Sequence, residues 1–462
     1  MDSDVITRAK QRARELLCAY DESRVKSDYT VAVPTSDSDV RLRLRQLGQP
    51  ICLFSEDAFS RRERLKLVVA SAKVGEMAAP TPGFRAEKPQ TTQTFYTHGS
   101  ASLLSCRNKI AKVSHAASVK RLSKERINQG RGSEDSFMSE YWNSSKIFSI
   151  SQIGDSRPLS YIAYSPDGGF VGVSGWSGDV NIFKPDDRAL TQVFSLRGHD
   201  DRCTSFAWNE VEGSRIQIAS GGVDRRIHLW NLLESPLDGI VLGPADMLEG
   251  HELRVNRIAF HPHVQNLLAS TSEDETWRLW DLERKEEILL QEGHVAPVFG
   301  ASFHPDGSLL ATSDTAGVIR LWDLRTGRSI MGFEGLHVEQ VIGLDFAANG
   351  FNLASCSGDN TVRVWDIRRR KCLEVLTAHE KLVSSVRYSN NGSVLITAGY
   401  DCVARIWRTS DYKIIKNLPI HESRIMAADI SPDGKAVVSA CYDRTFKMWR
   451  RDSDDVLLKM EH

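Results

Sequence analysis

The chain has no long apolar run. Its 462 residues are 41% hydrophobic and 26% charged, but no apolar stretch approaches the roughly 20 residues a helix needs to cross a bilayer. No membrane partner is therefore expected. The opening residues, Met1 to Arg14, are charged and lack the apolar core of a secretory signal, which places the chain in the cytoplasm or nucleus by expectation. Cysteine is scarce and scattered. The eight, at positions 18, 52, 106, 203, 356, 372, 402 and 441, form no C-x-x-C pair, so the spacing indicates neither zinc nor a disulfide framework. Those in apolar segments read as small core fillers. A glycine loop able to cradle phosphates is also missing, and nucleotide turnover with it. Charge of one sign is absent overall, yet the net of −1 hides an asymmetry. Residues 1–140 carry 24 basic against 17 acidic side chains, a net of +7, and the remainder 35 against 43, a net of −8. The two regions are expected to meet different electrostatic partners.

What the chain has in abundance is a repeat. A tryptophan follows a histidine by 28 residues four times, as His294 and Trp322, His337 and Trp365, His379 and Trp407, and His421 and Trp449. His251 and Trp280 are 29 apart, and His199 and Trp230 are 31 apart. The tryptophans close segments such as Arg278-Leu-Trp-Asp281, Arg320-Leu-Trp-Asp323 and Arg363-Val-Trp-Asp366. Recurrence at 42 or 43 residues in the later copies is the signature of WD40 repeats, one four-stranded propeller blade per copy. A seventh, degraded copy comes first, from Tyr161 to Phe183, with Phe183 in the tryptophan's place. The expected fold class is all-β, a seven-bladed propeller preceded by a small, mainly helical N-terminal region.

The spacing has a physical cause. A buried indole N–H needs an acceptor. In WD40 propellers the histidine meets a Ser or Thr ten residues before the tryptophan and an Asp six before it, and the linked side chains hold adjacent strands in register. The matching sets are His199, Ser220, Asp224 and Trp230; His251, Ser270, Asp274 and Trp280; His337, Ser355, Asp359 and Trp365; His379, Thr397, Asp401 and Trp407; and His421, Ser439, Asp443 and Trp449. In the fourth blade Ala316 holds the Asp position and in the first Ser177 does, each followed by glycine, and no histidine precedes the first. Those two blades are expected to rely on a glycine turn and apolar packing and to be softer. Ser, His and Asp together resemble a hydrolase triad, but recurrence in separate blades with a fourth member assigns them to structure. No catalytic residue, cofactor, metal or small-molecule substrate is expected. The Pro-Asp-Gly runs at 166–168, 305–307 and 432–434 are hairpin turns.

Ahead of the repeats, residues 31–75 read as a helical module after a charged segment, 1–30. Thr35 or Ser36 caps a helix, with Asp39 in the capping-box position after Ser36. Val40, Leu44 and Leu47 share a face before Gly48 and Pro50 end it. A second helix follows Ser55 and sets Leu65, Val68 and Val69 opposite Arg61, Arg62 and Arg64. So small a module has little core of its own and is expected to dock. The stretch from Val33 to Phe54, followed by Arg61-Arg-Glu-Arg-Leu65, resembles the splicing-factor-motif domain of the pre-mRNA-processing factor 4 family, WD-repeat subunits of the U4/U6 small nuclear ribonucleoprotein. Gln152 to Tyr161, Trp277 to Leu282, Glu287 to His294 and Tyr442 to Trp449 carry the same resemblance, which spans about 31–70 and 95–450. It implies a nuclear, non-catalytic scaffold of U4/U6 and U4/U6.U5 particles. Its partners would be other U4/U6 proteins, including a cyclophilin, with U4/U6 RNA in the same particle. The rivals are a ubiquitin-ligase substrate receptor, which would need an adaptor helix where the module stands, and an independent RNA reader.

Three regions carry the remaining expectations. Residues 76–94 contain Pro80, Pro82 and Pro89 and read as a linker. Within 95–140, Arg107, Lys109, Lys112, Lys120, Arg121, Lys124 and Arg126 accompany an apolar stripe of Leu103, Ile110, Val113 and Ala117. A helix with one docking face and one basic face, for RNA phosphate or a partner, follows. Within the propeller, 141–462, the residue seven before each closing aromatic lies on one rim and reads Trp176, Val223, Glu273, Thr315, Gly358, Tyr400 and Tyr442. Blades six, seven and one adjoin on ring closure, so Tyr400, Tyr442 and Trp176 form an arc, with Arg424 and Arg444 beside it, of the composition of an interface hot spot. The last blade is completed by Lys146 to Ile150 or by Val456 to Met460; the resemblance favours the upstream strand.

Overall fold

The structure, a computed structural model, describes residues 36–47, 61, 62, 64–66, 101–128, 133–143 and 147–451, the last stretch without 187–188, 212–213, 215, 233–239 and 419–420. The segment 1–30, the linker 76–94 and the alternative closing strand from Val456 to Met460 lie outside the described residues.

Among the described residues the strands form seven antiparallel sheets, arranged as propeller blades. Blade five is typical, with strands Val341–Phe346, Asn352–Ser357, Thr361–Asp366 and Lys371–Thr377. Its second and third strands are almost wholly buried, whereas the outermost is mostly exposed. Inner strands have a neighbouring blade on each face, so both faces select apolar or small residues. Each innermost strand also carries an irregularity at the same repeat position, such as Val341/Gly343 in blade five and Ile425/Ala427 in blade seven. The bulge bends the strand where it enters the ring.

The upstream strand closes the circle. Ile147–Ile153 pairs antiparallel with Thr445–Arg451, from Ile147 against Arg451 to Ile153 against Thr445. The first and last repeats therefore share a core in which Phe183 and Phe446 pack with centroids 4.7 Å apart. Blade one gains a fifth strand, Ile240–Leu242, parallel to Leu190–Arg197.

Among the described residues ahead of the ring, three helices can be given bounds. Helix α1, Asp37–Gln46, buries Val40 and Leu44 with Leu65, while Arg41, Arg43 and Arg45 are exposed. It belongs to a separate compact unit, residues 1–95. Helix α2, Ala101–Asn128, is about 42 Å long at 1.5 Å per residue. Its buried stripe is Leu103, Cys106, Ile110 and Ser114. Cys106 and Ile110 join Leu267, Leu279, Leu310, Trp322 and Leu324 in one cluster. Helix α3, Ser133–Asn143, inserts Met138 and Trp142, both buried. Trp142 Nε1 donates to Gly434 O at 3.2 Å, and Tyr141 Oη donates to Lys435 O at 3.0 Å. Both helices touch loops between first and second strands, at the end of the ring opposite the tetrad turns.

Candidate interaction surface

The tetrads set the frame on which any surface is built. In blade two Trp230 Nε1 donates to Ser220 Oγ at 2.9 Å, Ser220 Oγ lies 2.9 Å from His199 Nε2, and His199 Nδ1 lies 2.8 Å from Asp224. One run of donors satisfies all of these contacts: indole to hydroxyl, hydroxyl to imidazole, imidazole to carboxylate. The same chain links His251, Ser270, Asp274 and Trp280, His337, Ser355, Asp359 and Trp365, and His379, Thr397, Asp401 and Trp407. Burial lowers the pKa values of His199, His337 and His379, keeping each imidazole neutral. Burial would raise those of Asp224, Asp274 and Asp401, but hydrogen bonds from the paired histidines hold them below the usual carboxylate range. The hydroxyls are fully buried and accept the indole N–H, so no substrate reaches them.

Blade four departs from the sequence expectation. It does not rely on a glycine turn and apolar packing, because Asp314, two residues before Ala316, supplies the carboxylate. His294 Nδ1 lies 2.8 Å from Asp314 Oδ2 and its Nε2 lies 2.7 Å from Thr312 Oγ1, which accepts from Trp322 Nε1 at 2.8 Å. Asp314 also accepts from the backbone of Ala316 and Val318. Blade one exchanges the roles. Asp155, 28 residues before Phe183, holds the histidine's place, and Ser177 Oγ donates to it. Val173 replaces the tetrad hydroxyl, since phenylalanine has no N–H to satisfy. Blade seven is looser: His421 Nε2 meets Ser439 Oγ at 2.6 Å and Trp449 Nε1 reaches Ser439 at 3.3 Å. His421 Nδ1, however, is buried without a hydrogen-bond partner.

On the rim built by these turns, the aromatic positions of blades six, seven and one come together with arginines. Trp176 and Tyr442 meet edge to face, centroids 5.5 Å apart. Arg424 lies over Tyr442 at 4.0 Å and over Tyr400 at 5.3 Å, and Arg202, exposed, lies over Trp176 at 4.2 Å. Arg202, Trp176, Tyr442, Arg424 and Tyr400 follow one another across four blades, the edge-to-face pair Trp176 and Tyr442 having a cation on either side. Arg444 is exposed in the left-handed region, φ 74°, and its carbonyl accepts from Gly154 N–H. The stack borders a cavity of about 420 Å³ at this mouth of the axial channel, lined also by Arg254, Arg257 and Gln340. At the other mouth a cavity of about 550 Å³ holds Arg257 and Arg387 among Asp345, Asp429 and Glu210.

Helix α2 divides its basic residues. Lys109, Lys112, Lys120, Lys124 and Arg126 are exposed. Arg121 is turned onto the ring, where it forms a two-point pair with Asp306 at 2.7 and 2.8 Å, donates to Asn349 O and lies 5.1 Å from the Phe351 ring centroid. Gly350, at φ 68°, permits that approach: a Cβ there would lie 2.7 Å from the guanidinium carbon. Arg107 packs the same way against Gly327, φ 71°. The sequence carried a signal for Arg121, four residues after Ala117 of the expected apolar stripe and hence on the docking face. Arg202 had none, because it stands in a loop outside the tetrad positions.

Seven such blades closed by a strand from before the first repeat define a WD-repeat β-propeller. More particularly, the chain belongs to the family described as IFT122 first beta-propeller, whose model matches residues 158–450. A second model, pre-mRNA processing factor 4 (PRP4) like, matches residues 40–68. Among curated relatives, an uncharacterized WD repeat-containing protein of Schizosaccharomyces pombe is 34% identical over 287 residues, 58% of each chain. The U4/U6 small nuclear ribonucleoprotein Prp4 of Mus musculus is 36% identical over 197 residues, 41% of this chain and 37% of its own. Coronin-7 of Homo sapiens is 36% identical over 124 residues, 27% of this chain and 13% of its own. The matched stretches thus span less than two thirds of these relatives' lengths.

Proposed function

We propose that the chain is a non-catalytic scaffold subunit of a U4/U6-type small nuclear ribonucleoprotein, acting in the nucleus in pre-mRNA splicing and carried into the U4/U6.U5 assembly. The observation that carries the reading is the PRP4-like stretch at residues 40–68 standing in one chain with the propeller; a propeller alone names no process. In this reading the N-terminal arm engages other U4/U6 proteins, a cyclophilin among them, and the rigid ring holds the rim stack ready for a protein partner. The exposed lysines of α2, at 109, 112, 120 and 124, face RNA phosphate. Replacing them with alanine lowers the salt dependence of RNA binding, because each lost phosphate contact removes about 0.9 from the log–log slope on a duplex. An unchanged slope removes RNA from their role. The decisive experiment is affinity purification of the full chain with small nuclear RNAs identified. U4 and U6 recovered together support the proposal, and their absence overturns it. Recovery of ubiquitin-ligase subunits instead would favour a substrate receptor.

A further inference from the structure

Blade seven differs from the other six at one position. Eight residues before the closing aromatic stand Gly175, Gly222, Ser272, Asp314, Ser357 and Gly399 in blades one to six, and Cys441 in blade seven. A side chain there points at the tetrad imidazole. A Cβ on Gly222 or Gly399 would lie 2.6 or 2.7 Å from the Nδ1 of His199 or His379, and in blade four Asp314 bonds His294 Nδ1 from this position. Blade seven alone among the histidine-bearing blades fills both approaches to Nδ1 with donor side chains other than serine, Cys441 from one position and Asp443 from the other. There His421 Nδ1 has no hydrogen-bond partner, Asp443 Oδ1 accepts from Thr445 N and Oγ1, and Cys441 Sγ makes a weak contact to Ser423 O at 3.3 Å. The imidazole nitrogen, the sulfur and a carboxylate oxygen lie within 4.8 Å of one another.

We propose that His421, Cys441 and Asp443 form a zinc site. A thiolate, an imidazole and a carboxylate are zinc's ligand types, and three protein ligands leave a fourth position for water. The hydrogen bond from His421 Nε2 to Ser439 fixes the ring so that Nδ1 presents its lone pair, the outer-shell support that zinc histidines use. Binding forms metal–nitrogen, metal–oxygen and metal–sulfur bonds, breaks the Cys441 S–H bond and passes its proton to water. Two anionic ligands balance the dication, so the Lys447 ammonium nearby faces a site without net charge. Tyr442, between two of the ligands, belongs to the rim stack, and the ion would fix the turn that presents it.

The test uses the full chain and Cys441→Gly and Cys441→Ser, which install residues found at this position in other blades and should leave the fold intact. Metal analysis after dialysis should find one zinc per chain. Cobalt(II) substitution should give thiolate-to-metal charge-transfer absorption, and added zinc should raise the unfolding temperature; all three should disappear in both variants. His228→Arg, which dismantles the grouping of His199, Asp224 and His228 in blade two, should retain them. A wild-type chain that binds no zinc overturns the proposal. So does a cobalt–thiolate band that survives Cys441→Gly, or zinc binding lost only in His228→Arg.

Discussion

Replacing Asp314 with alanine tests whether blade four is held by a displaced carboxylate or by its glycine turn. The carboxylate side chain is 3% exposed and takes three donors: His294 Nδ1 at 2.8 Å, Val318 N at 2.9 Å and Ala316 N at 3.0 Å. Ala316 is exposed and its N–H can turn to water. The imidazole, only 1% exposed, cannot. An orphaned buried donor costs about 1–3 kcal/mol, and the charge-assisted bond to it contributes about 1.5–3 kcal/mol. With a smaller share from Val318, the expected loss is about 3–5 kcal/mol. Asp314→Asn keeps an acceptor without the charge and should lose about 1–2 kcal/mol. Asp314→Ser combined with Ala316→Asp rebuilds the arrangement of blades three and five, where Ser272 precedes Asp274 and Ser357 precedes Asp359, and should recover most of the loss. Urea unfolding followed by tryptophan fluorescence, with Trp322 in the same network, reads all three. A loss below about 1 kcal/mol in Asp314→Ala, or no recovery in the double variant, would refute the reasoning.

Three further outcomes follow from the same geometry. Arg121→Ala leaves Asp306, 6% exposed, without its cation, at a cost of about 3–5 kcal/mol. It should speed hydrogen exchange along 101–128 more than in the blades, and uniform exchange would contradict a docked helix. His261 donates Nε2–H to Gly307 O at 2.8 Å and accepts the N–H groups of His263 and Val264 on Nδ1, and burial pushes its pKa down to about 4. Since the folded value lies below the unfolded one, about 6.5, its stabilisation is complete above pH 6.5 and declines by about 3 kcal/mol as pH falls to 4. The depressed carboxylates of Asp224, Asp274 and Asp401 add losses that begin below about pH 5 and deepen as pH falls further. An unfolding temperature flat from pH 7 to 4 would count against neutral buried imidazoles. On the rim, Tyr442→Ala and Tyr400→Ala should weaken partner binding by about 2 kcal/mol each with stability changed by less than about 1 kcal/mol; the reverse would make the stack local packing.

How much of this was legible depended on whether a residue's role is fixed by its place in the repeat. Trp230, Ser220 and His199 are readable because a buried indole demands an acceptor, and the demand recurs at a fixed offset. Asp314 escaped that reading because the carboxylate can approach the same imidazole from two positions. Only the three-dimensional path of the turn shows that residues two apart can both reach Nδ1. Asp155 escaped for a related reason: once phenylalanine removes the N–H, nothing requires a histidine, and the carboxylate can change ends with the hydroxyl. Arg121 and Asp306, 185 residues apart, belong to no common period, so their pairing follows from how α2 lies on the ring. The rim combines both cases. Trp176, Tyr400 and Tyr442 share a repeat position and ring closure makes them neighbours, but Arg202 enters from a loop that obeys no offset. Residues bound to the period therefore build the frame, and a search for function in such a chain gains most from positions where the frame's own requirements are met by an unexpected residue. Cys441 is the sharpest of these, because there a tetrad histidine keeps its hydroxyl partner while losing its carboxylate partner beside a thiol.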